Sequence, residues 1–468
     1  MRLLFAAAEM FPFAKTGGLA DVAHALPKAL AAHAEVTAVM PLYRFVDRLR
    51  YGIEPTGESL DVRVGKKAVR VALYRAQREG VSHLFLYEPT LCERSHPYGP
   101  PGGAYADNDV RFAIFSHALV ALAEREKADI LHLNDWHTAL AAPLLRDAGL
   151  SVRSVFTIHN LAYQGVFPPE SLARTGLEAR HFTMEDMEFY GRVNWMKGAI
   201  AHADAVTTVS PSYAREIQTP AFGCGLEGFL RKHADKLTGI LNGIDTALYD
   251  PAADPALPAA FDRRDLSGKQ ACKRAYLKEI DINKYDDPLF VFIGRFVEQK
   301  GIDWIAEASE RLGALPLTLA ILGEGEERFH RELERAASRH PNIRLRFGYD
   351  EALSHRMYAA ADFLLMPSRF EPCGLNQLIA MRYGTVPVVH RVGGLKDTVH
   401  EWREPPLCGT GVPFDGQGSE ALLSAVMAAL QLYAKPKRLE KARRFDMGCD
   451  FSIQRCAGEY LKLYGSLA

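Results

Sequence analysis

Four clusters of residues in this chain have the types and spacing to bind phosphate or sugar, and each follows an apolar run. The first is Met366-Pro-Ser-Arg-Phe-Glu-Pro-Cys-Gly-Leu-Asn-Gln377. Here Glu371 can bind sugar hydroxyls or a developing positive charge, and Gly374 lets backbone come close to a ligand. A helix starting near Leu375 aims backbone N–H groups and a positive dipole end at the same place, which suits an anion. The second cluster is Arg295 and Lys300, five residues apart around a glycine turn. An Arg fork and a Lys point charge suit a diphosphate, and one such contact to growing charge contributes about 2.7–4 kcal/mol to lowering a barrier. The third is Lys15-Thr-Gly-Gly-Leu-Ala-Asp21, a glycine turn with a cation at its mouth. The fourth is a pair of strand ends, Asn134-Asp-Trp-His137 and His159-Asn160. Each has a bland alternative: a capped loop with a solvated Glu371, a solvated cationic face, a structural glycine turn, satisfied core histidines.

These clusters need strand-to-helix turns to hold them. Residues 2–8, Val36–Met40, Ile130–Leu133, Val155–Ile158 and Ala205–Val209 read as strands of a first half, with a helix after Asp21 and another over Val110–Ala123. Ser210-Pro211 reads as an N-cap followed by proline at the first helical position. Tyr51–Leu86 alternates in short segments and predicts a small antiparallel insertion, while the Gly- and Pro-rich stretch Glu93–Asp109 predicts a loop near the ligand mouth. The second half repeats the scheme with strands Leu289–Ile293, Leu317–Leu322, Ile343–Phe347, Phe363–Met366 and Val386–Val389, then helices over Ala421–Tyr433 and Ile453–Tyr464. Five successive strand ends carrying glycine or charge are the signature of a doubly wound sheet with one functional edge.

The chain has 468 residues, 48% of them apolar, enough for two or three domains. Lys plus Arg number 56 against 57 Asp plus Glu, with no long single-sign run, so nothing recruits nucleic acid or an anionic membrane. No segment approaches 18 uninterrupted apolar residues, and the start is too short for a signal peptide; a cytoplasmic protein is expected. The seven cysteines, Cys92, Cys224, Cys272, Cys373, Cys408, Cys449 and Cys456, contain no C-x-x-C pair, so neither a disulfide framework nor a zinc site is indicated. A phosphate-binding G-x-x-x-x-G-K-[S/T] loop is absent, as is a D-x-D pair at a strand end.

The segments K-T-G-G-L-A-D at 15–21, H-N-L-A-Y-Q-G at 159–165, G-R-F-V-E-Q-K-G at 294–301 and P-S-R-F-E-P-C-G-L at 367–375 resemble, in order and over essentially the whole chain, the bacterial glycogen synthases and plant starch synthases. That resemblance implies an α/β fold of two doubly wound Rossmann-like domains facing across a cleft, the GT-B type. It also implies transfer of glucose from ADP-glucose to an α-1,4-glucan with retention, without metal or pyridoxal phosphate. By matching position it places Lys15 and Gly18 near the donor phosphates and sugar, with Asp21 holding the mouth. Asp135 and His159 contact the glucosyl group, and Arg295 and Lys300 form the diphosphate clamp. Tyr349 flanks adenine, and Glu371 orients sugar hydroxyls beside the backbone donors of Cys373 and Gly374. Asn160, Asn242 and Leu375 complete the implied substrate contacts, with no metal ligand. Two positions depart from the wider pattern: Asn376 stands where Thr is usual, and Ile379 where broader retaining transferases carry a second Glu.

The expected division is residues 1–244 as an acceptor-side domain and 245–449 as a nucleotide-sugar domain. The last helix, about 450–468, is open to packing back on the first. Three rivals remain: a transferase using UDP-glucose or a small acceptor, a non-catalytic glucan-binding protein, and a phosphorylase that would need a lysine holding pyridoxal phosphate.

Overall fold

The computed structural model describes residues 1–100, 102–402 and 409–467; Cys408 of the cysteine set lies outside them. The chain divides into two compact units, Met1–Asn242 with the C-terminal residues from Ile453, and Gly243–Ser452.

The strands of the first unit are β1 (Arg2–Ala6), β2 (Glu35–Pro41), β3 (Glu54–Val64), β4 (Lys67–Arg78), β5 (Val81–Tyr87), β6 (Ile130–Asn134), β7 (Arg153–Ile158), β8 (Val166–Phe167), β9 (Glu188–Phe189), β10 (Arg192–Asn194), β11 (Ala205–Thr208) and β12 (Leu237–Gly239). Nine of them form one sheet in the order β12-β11-β7-β6-β1-β2-β5-β4-β3, and β8, β10 and β9 make a small second sheet. The central strands are buried nearly along their length because helices cover both faces of a parallel sheet; β6 is buried at every residue, its His132 and Asn134 included. The chain runs outward from β1 in one direction and from β6 in the other, so the order reverses between these two neighbours. A crevice outside the carboxyl ends of the strands forms at such a switch point.

The segment 51–86 differs from its expected form as a small insertion. β5 pairs in parallel with β2, and β4 and β3 continue from it antiparallel, so all three extend the main sheet. Their half-exposed edge strands alternate in burial, which gave a local pattern indistinguishable from a detached hairpin.

The last helix, Ile453–Leu467, belongs to the first unit. Its Tyr464 hydroxyl lies 2.7 Å from His132 Nδ1 on β6, and the other nitrogen of that ring reaches Thr157 Oγ1 at 2.6 Å. Buried imidazole and hydroxyl groups are thereby paired, as burial of polar atoms requires.

In the second unit the strands are β13 (Leu289–Ile293), β14 (Thr318–Gly323), β15 (Ile343–Phe347), β16 (Phe363–Met366), β17 (Val386–His390) and β18 (Val412–Phe414). They pair in the order β15-β14-β13-β16-β17-β18, all parallel, with the reversal between β13 and β16. Beneath the sheet, Asp362 is 2% exposed and takes hydrogen bonds from Lys273 Nζ at 2.7 Å, Arg443 and the Leu289 amide at 2.8 Å. A buried carboxylate is tolerated only with such a complete set of partners. The stretch 250–262 is anchored to this unit at a few points while most of its prolines and alanines are exposed: Phe261 is buried, and Asp254 accepts hydrogen bonds from His355 and Tyr383.

Candidate active site

Both switch points carry the residues singled out by type. In the first unit β1 runs out into Ala7-Ala8-Glu9, and the turn that follows returns to the helix Gly18–Leu30. Glu9 is 2% exposed, and its Oε2 accepts from the Thr16 amide at 2.6 Å and the Thr16 hydroxyl at 2.5 Å. Burial pushes this carboxyl up to about 7, against the lowering effect of Thr16, with the nearby Asp21 and Asp135 charges adding to the rise. Lys15 pairs with Asp21 at 2.8 Å, so the cation of this turn and the first-turn acid of the helix hold one another. Gly18 opens that helix and is exposed.

Beside β1, the end of β6 supplies Asn134 and Asp135. Asn134 donates through Nδ2 to the Ala6 carbonyl at 2.9 Å, which turns its Oδ1 toward His159 Nε2, 2.8 Å away. His159 Nε2 therefore carries the hydrogen and donates it. Burial pushes the imidazole down to about 3, so it is neutral across the physiological range. Asp135, at φ +57°, accepts from the His159 amide at 2.7 Å. Burial pushes its carboxyl up to about 7 although the amides of His159 and Asn160 pull it down. The Asn160 side chain folds back to accept from the Ala162 amide at 3.0 Å. Trp136 packs against Gly165, where a Cβ would stand 2.7 Å from the indole. Asn242 is buried, with its backbone N–H donating to the Val209 carbonyl at 3.2 Å.

In the second unit, Gly301 and the 367–374 loop meet beside the ends of β13 and β16. Gly301 has φ +68°, and a Cβ there would lie 2.0 Å from the Pro367 carbonyl oxygen, so only glycine fits. Arg369 ties the same two segments together through Asp303 at 2.7 and 2.6 Å and the Glu298 carbonyl at 2.7 Å. This stitching brings Lys300 Nζ to 2.6 Å from Glu371 Oε2, which also accepts from Ser368 Oγ at 2.9 Å. Glu371 is 5% exposed, and its backbone carbonyl accepts from the Gly394 amide at 3.0 Å. Gly374, at φ +72°, leaves no room for a Cβ beside Gln377. Cys373 is buried, and the helix Asn376–Arg382 follows Leu375.

Arg295 is exposed and bonds Gln299 Oε1 at 3.3 Å rather than the carboxylate. Tyr349, 68% exposed, follows β15. The Asn376 amide donates to the Ile293 carbonyl at 2.6 Å, fastening the helix start to β13. Sequence reasoning missed Glu9 and gave no role to Asn134 or Ser368, although both stand inside clusters singled out above. Glu9 had a signal, a carboxylate straight after an apolar strand; the role of Asn134 shows only through His159, 25 residues on, and that of Ser368 only once its loop folds it onto Glu371.

The strand ends of the first unit hold the carboxylates of Glu9 and Asp135 and a neutral imidazole, suited to hydroxyl recognition; those of the second unit hold buried Glu371 with a half-buried ammonium, suited to stabilising separated charge. Residues 2–232 match the family described as the starch synthase catalytic domain, and residues 276–445 match glycosyl transferases group 1. The chain is 45% identical to a glycogen synthase of Anaeromyxobacter sp. (strain Fw109-5), each chain covered completely. It is 43% identical to a glycogen synthase of Myxococcus xanthus, with 100% of this chain and 99% of the relative covered. Among solved structures, the catalytic domain of starch synthase IV from Arabidopsis thaliana, bound to ADP and acarbose, superposes with a TM-score of 0.92 at 34% identity, covering 100% of this chain and 99% of that one.

Proposed function

The chain belongs to the glycogen and starch synthase family, and from that membership we propose how its residues carry the reaction. It is a hexosyltransferase that moves glucose from ADP-glucose to the non-reducing end of an α-1,4-glucan with retention of configuration.

In this reading the donor diphosphate is held by the second unit. Lys300 gives one of its three N–H donors to Glu371 and keeps the others for phosphate oxygens. Arg295, exposed and bonded among the described residues to the neutral amide of Gln299, turns its fork to the same diphosphate. As the bond from the anomeric carbon to the β-phosphate oxygen breaks, negative charge grows on that oxygen beside the ammonium and positive charge grows on the sugar ring. Glu371, its carboxylate held by Lys300 and Ser368, orients sugar hydroxyls and opposes the positive charge. The acceptor 4-hydroxyl attacks from the face the diphosphate leaves, forming the new C–O bond, and its proton passes to the departing phosphate oxygen. Glu371 is not assigned as a nucleophile, because retaining hydrolases need two carboxylates about 5–5.5 Å apart for that division of work.

The first unit binds the sugar. Neutral His159, its Nε2–H fixed on Asn134, offers the rest of the ring and its carbonyl to glucosyl hydroxyls, and Asp135 braces it through the amide. Lys15, Gly18 and Asp21 line the mouth; Asn160, Asn242, Tyr349, Cys373, Gly374 and Leu375 complete the substrate contacts. Residues 1–244 with the last helix act as the acceptor-side domain and 245–449 as the nucleotide-sugar domain. The diphosphate charge is met by side chains rather than by a metal, which full activity in EDTA checks. Among the described residues, Cys92, Cys224, Cys272, Cys373, Cys449 and Cys456 form no disulfide, as suits a reducing cytoplasm.

The observation that carries this reading is the 2.6 Å contact of Lys300 with buried Glu371 at the switch point of a six-stranded parallel sheet. The test is incorporation of glucose into glycogen from ADP-glucose and UDP-glucose at equal concentrations. Preference for ADP-glucose supports it, and a strong UDP preference overturns the donor assignment.

A further inference from the structure

Away from these strand ends, the first unit gathers two histidines and two aspartates that the reaction does not use. His181 closes the short turn Ala179–His181, Asp186 lies in the next turn, and His202 is the last residue of the helix Trp195–His202. Asp186 Oδ2 stands 2.6 Å from His181 Nδ1 and 2.8 Å from His202 Nε2, and the three ligand atoms lie within 4.8 Å of one another. We propose that His181 Nδ1, Asp186 and His202 Nε2 bind a divalent transition cation of the zinc class, as a structural clip on the loop before β9.

Three features point to a metal rather than to pairing alone. The far side of the His181 ring is fixed: Nε2 meets Asp147 Oδ2 at 2.9 Å, and Asp147 is itself held by Arg180 at 2.8 Å. A carboxylate behind a ligating imidazole sets its tautomer, leaves Nδ1 as the donor atom and raises its basicity. Next, Asp186 Oδ1 is buried and takes no hydrogen bond from the described residues, an acceptor left over by the pairing and available to a cation. Finally, the distances are close to what tetrahedral zinc needs. Bonds of about 2.0–2.1 Å place adjacent ligand atoms about 3.3 Å apart, so each contact has to open by about half an ångström or slightly more. Two imidazoles and one carboxylate select zinc-like ions over magnesium or calcium, which require oxygen ligands. His202 is 25% exposed at its side chain, leaving an open side for entry and for water as a fourth ligand.

The test is titration of EDTA-treated, buffer-exchanged full-length protein with cobalt(II), followed by the tetrahedral d–d absorption, and with zinc, followed by thermal melting. One equivalent of cobalt is expected to give the absorption, and zinc at a hundredfold excess over its dissociation constant is expected to raise Tm by about 5 °C. His202→Gln, which keeps a hydrogen bond to Asp186 and the fold, loses both signals; Asp147→Asn weakens binding about 10–100-fold. Cys224→Ser, a control for the exposed thiol, leaves them unchanged. Absence of cobalt absorption in the wild type, equal binding by His202→Gln, or loss of binding in Cys224→Ser would each overturn the site and leave an ion-pair network only.

Discussion

Replacing Lys300 with Met tests the arrangement at its centre. The substitution keeps most of the side-chain volume and removes the ammonium 2.6 Å from Glu371 Oε2, leaving a carboxylate that is 5% exposed with the Ser368 hydroxyl as its remaining partner on that oxygen. Two losses follow. Breaking a buried pair from one side costs about 3–5 kcal/mol when both partners are sequestered; Lys300 is 23% exposed, so about 2 kcal/mol of stability is the expectation here. The diphosphate also loses a cation worth about 2.7–4 kcal/mol in the barrier, which is about a 10²–10³-fold fall in kcat. Glu371→Gln alone removes the charge opposing the sugar cation. If the two groups act as one unit, the double variant Lys300→Met/Glu371→Gln should be little worse than the poorer single, with a coupling energy of about 1.5–3 kcal/mol. The assay is the initial rate of glucose transfer from ADP-glucose into glycogen, with glycogen affinity measured in parallel and expected to stay within a few-fold. A Lys300→Met rate within threefold of wild type, or strictly additive losses, would refute the reasoning.

Other perturbations read different parts of the structure. Gly301→Ala forces a Cβ against the Pro367 carbonyl at a backbone angle disfavoured for L-residues, so we expect a loss of at least about 2 kcal/mol in denaturant unfolding together with a fall in kcat. Glu9 has its folded pKa at about 7, above the unfolded value, so its ionised form is penalised in the fold and stability is lost as pH rises from about 4.5 through 7. Glu9→Gln should therefore match wild type near pH 5 and exceed its stability by about 1–3 kcal/mol at pH 8.5, measured by urea unfolding. His355 shows the opposite sign. Burial pushes its imidazole down, but the hydrogen bond to Asp254 and the Glu351 carboxylate 3.6 Å from Nε2 outweigh this and hold it up at about 9. Its contribution, about 2 kcal/mol after allowance for solvent screening, is fully present below pH 6.5 and disappears as pH rises through 9. The wild-type Tm should fall between pH 7 and pH 9.5 by more than that of His355→Gln; parallel curves would refute the pairing.

Much of the fold is legible locally. Strands β13 and β16 run Leu289–Ile293 and Phe363–Met366, the bounds read from apolar runs, because a strand covered on both faces has no reason to alternate, while β15, Ile343–Phe347, is an edge strand that alternates Ile-Arg-Leu-Arg-Phe. The N-cap Ser210 accepts from the Tyr213 amide at 3.1 Å, as its place before Pro211 implies. The helices Ser267–Glu279 and Glu327–Arg339 escaped notice because charged residues dominate them and leave narrow buried stripes such as Phe329, Leu333 and Ala336, and Glu351–Ala360 because it is short and buried over most of its length, with no one-sided apolar period.

What the chain determined by itself is therefore a series of strand-turn-helix units with glycine, cation and carboxylate at their turns, since periodicity and turn chemistry act over a few residues. What only the tertiary structure decided is which of those turns meet. Lys300 and Glu371 are 71 residues apart, Asn134 and His159 are 25 apart, and His132 and Tyr464 are 332 apart. Each pair is made by strand order and by burial, which also push Glu9 and Asp135 up to about 7. Desolvation is a property of the packed unit: no residue's neighbours in sequence reveal how much water it will lose.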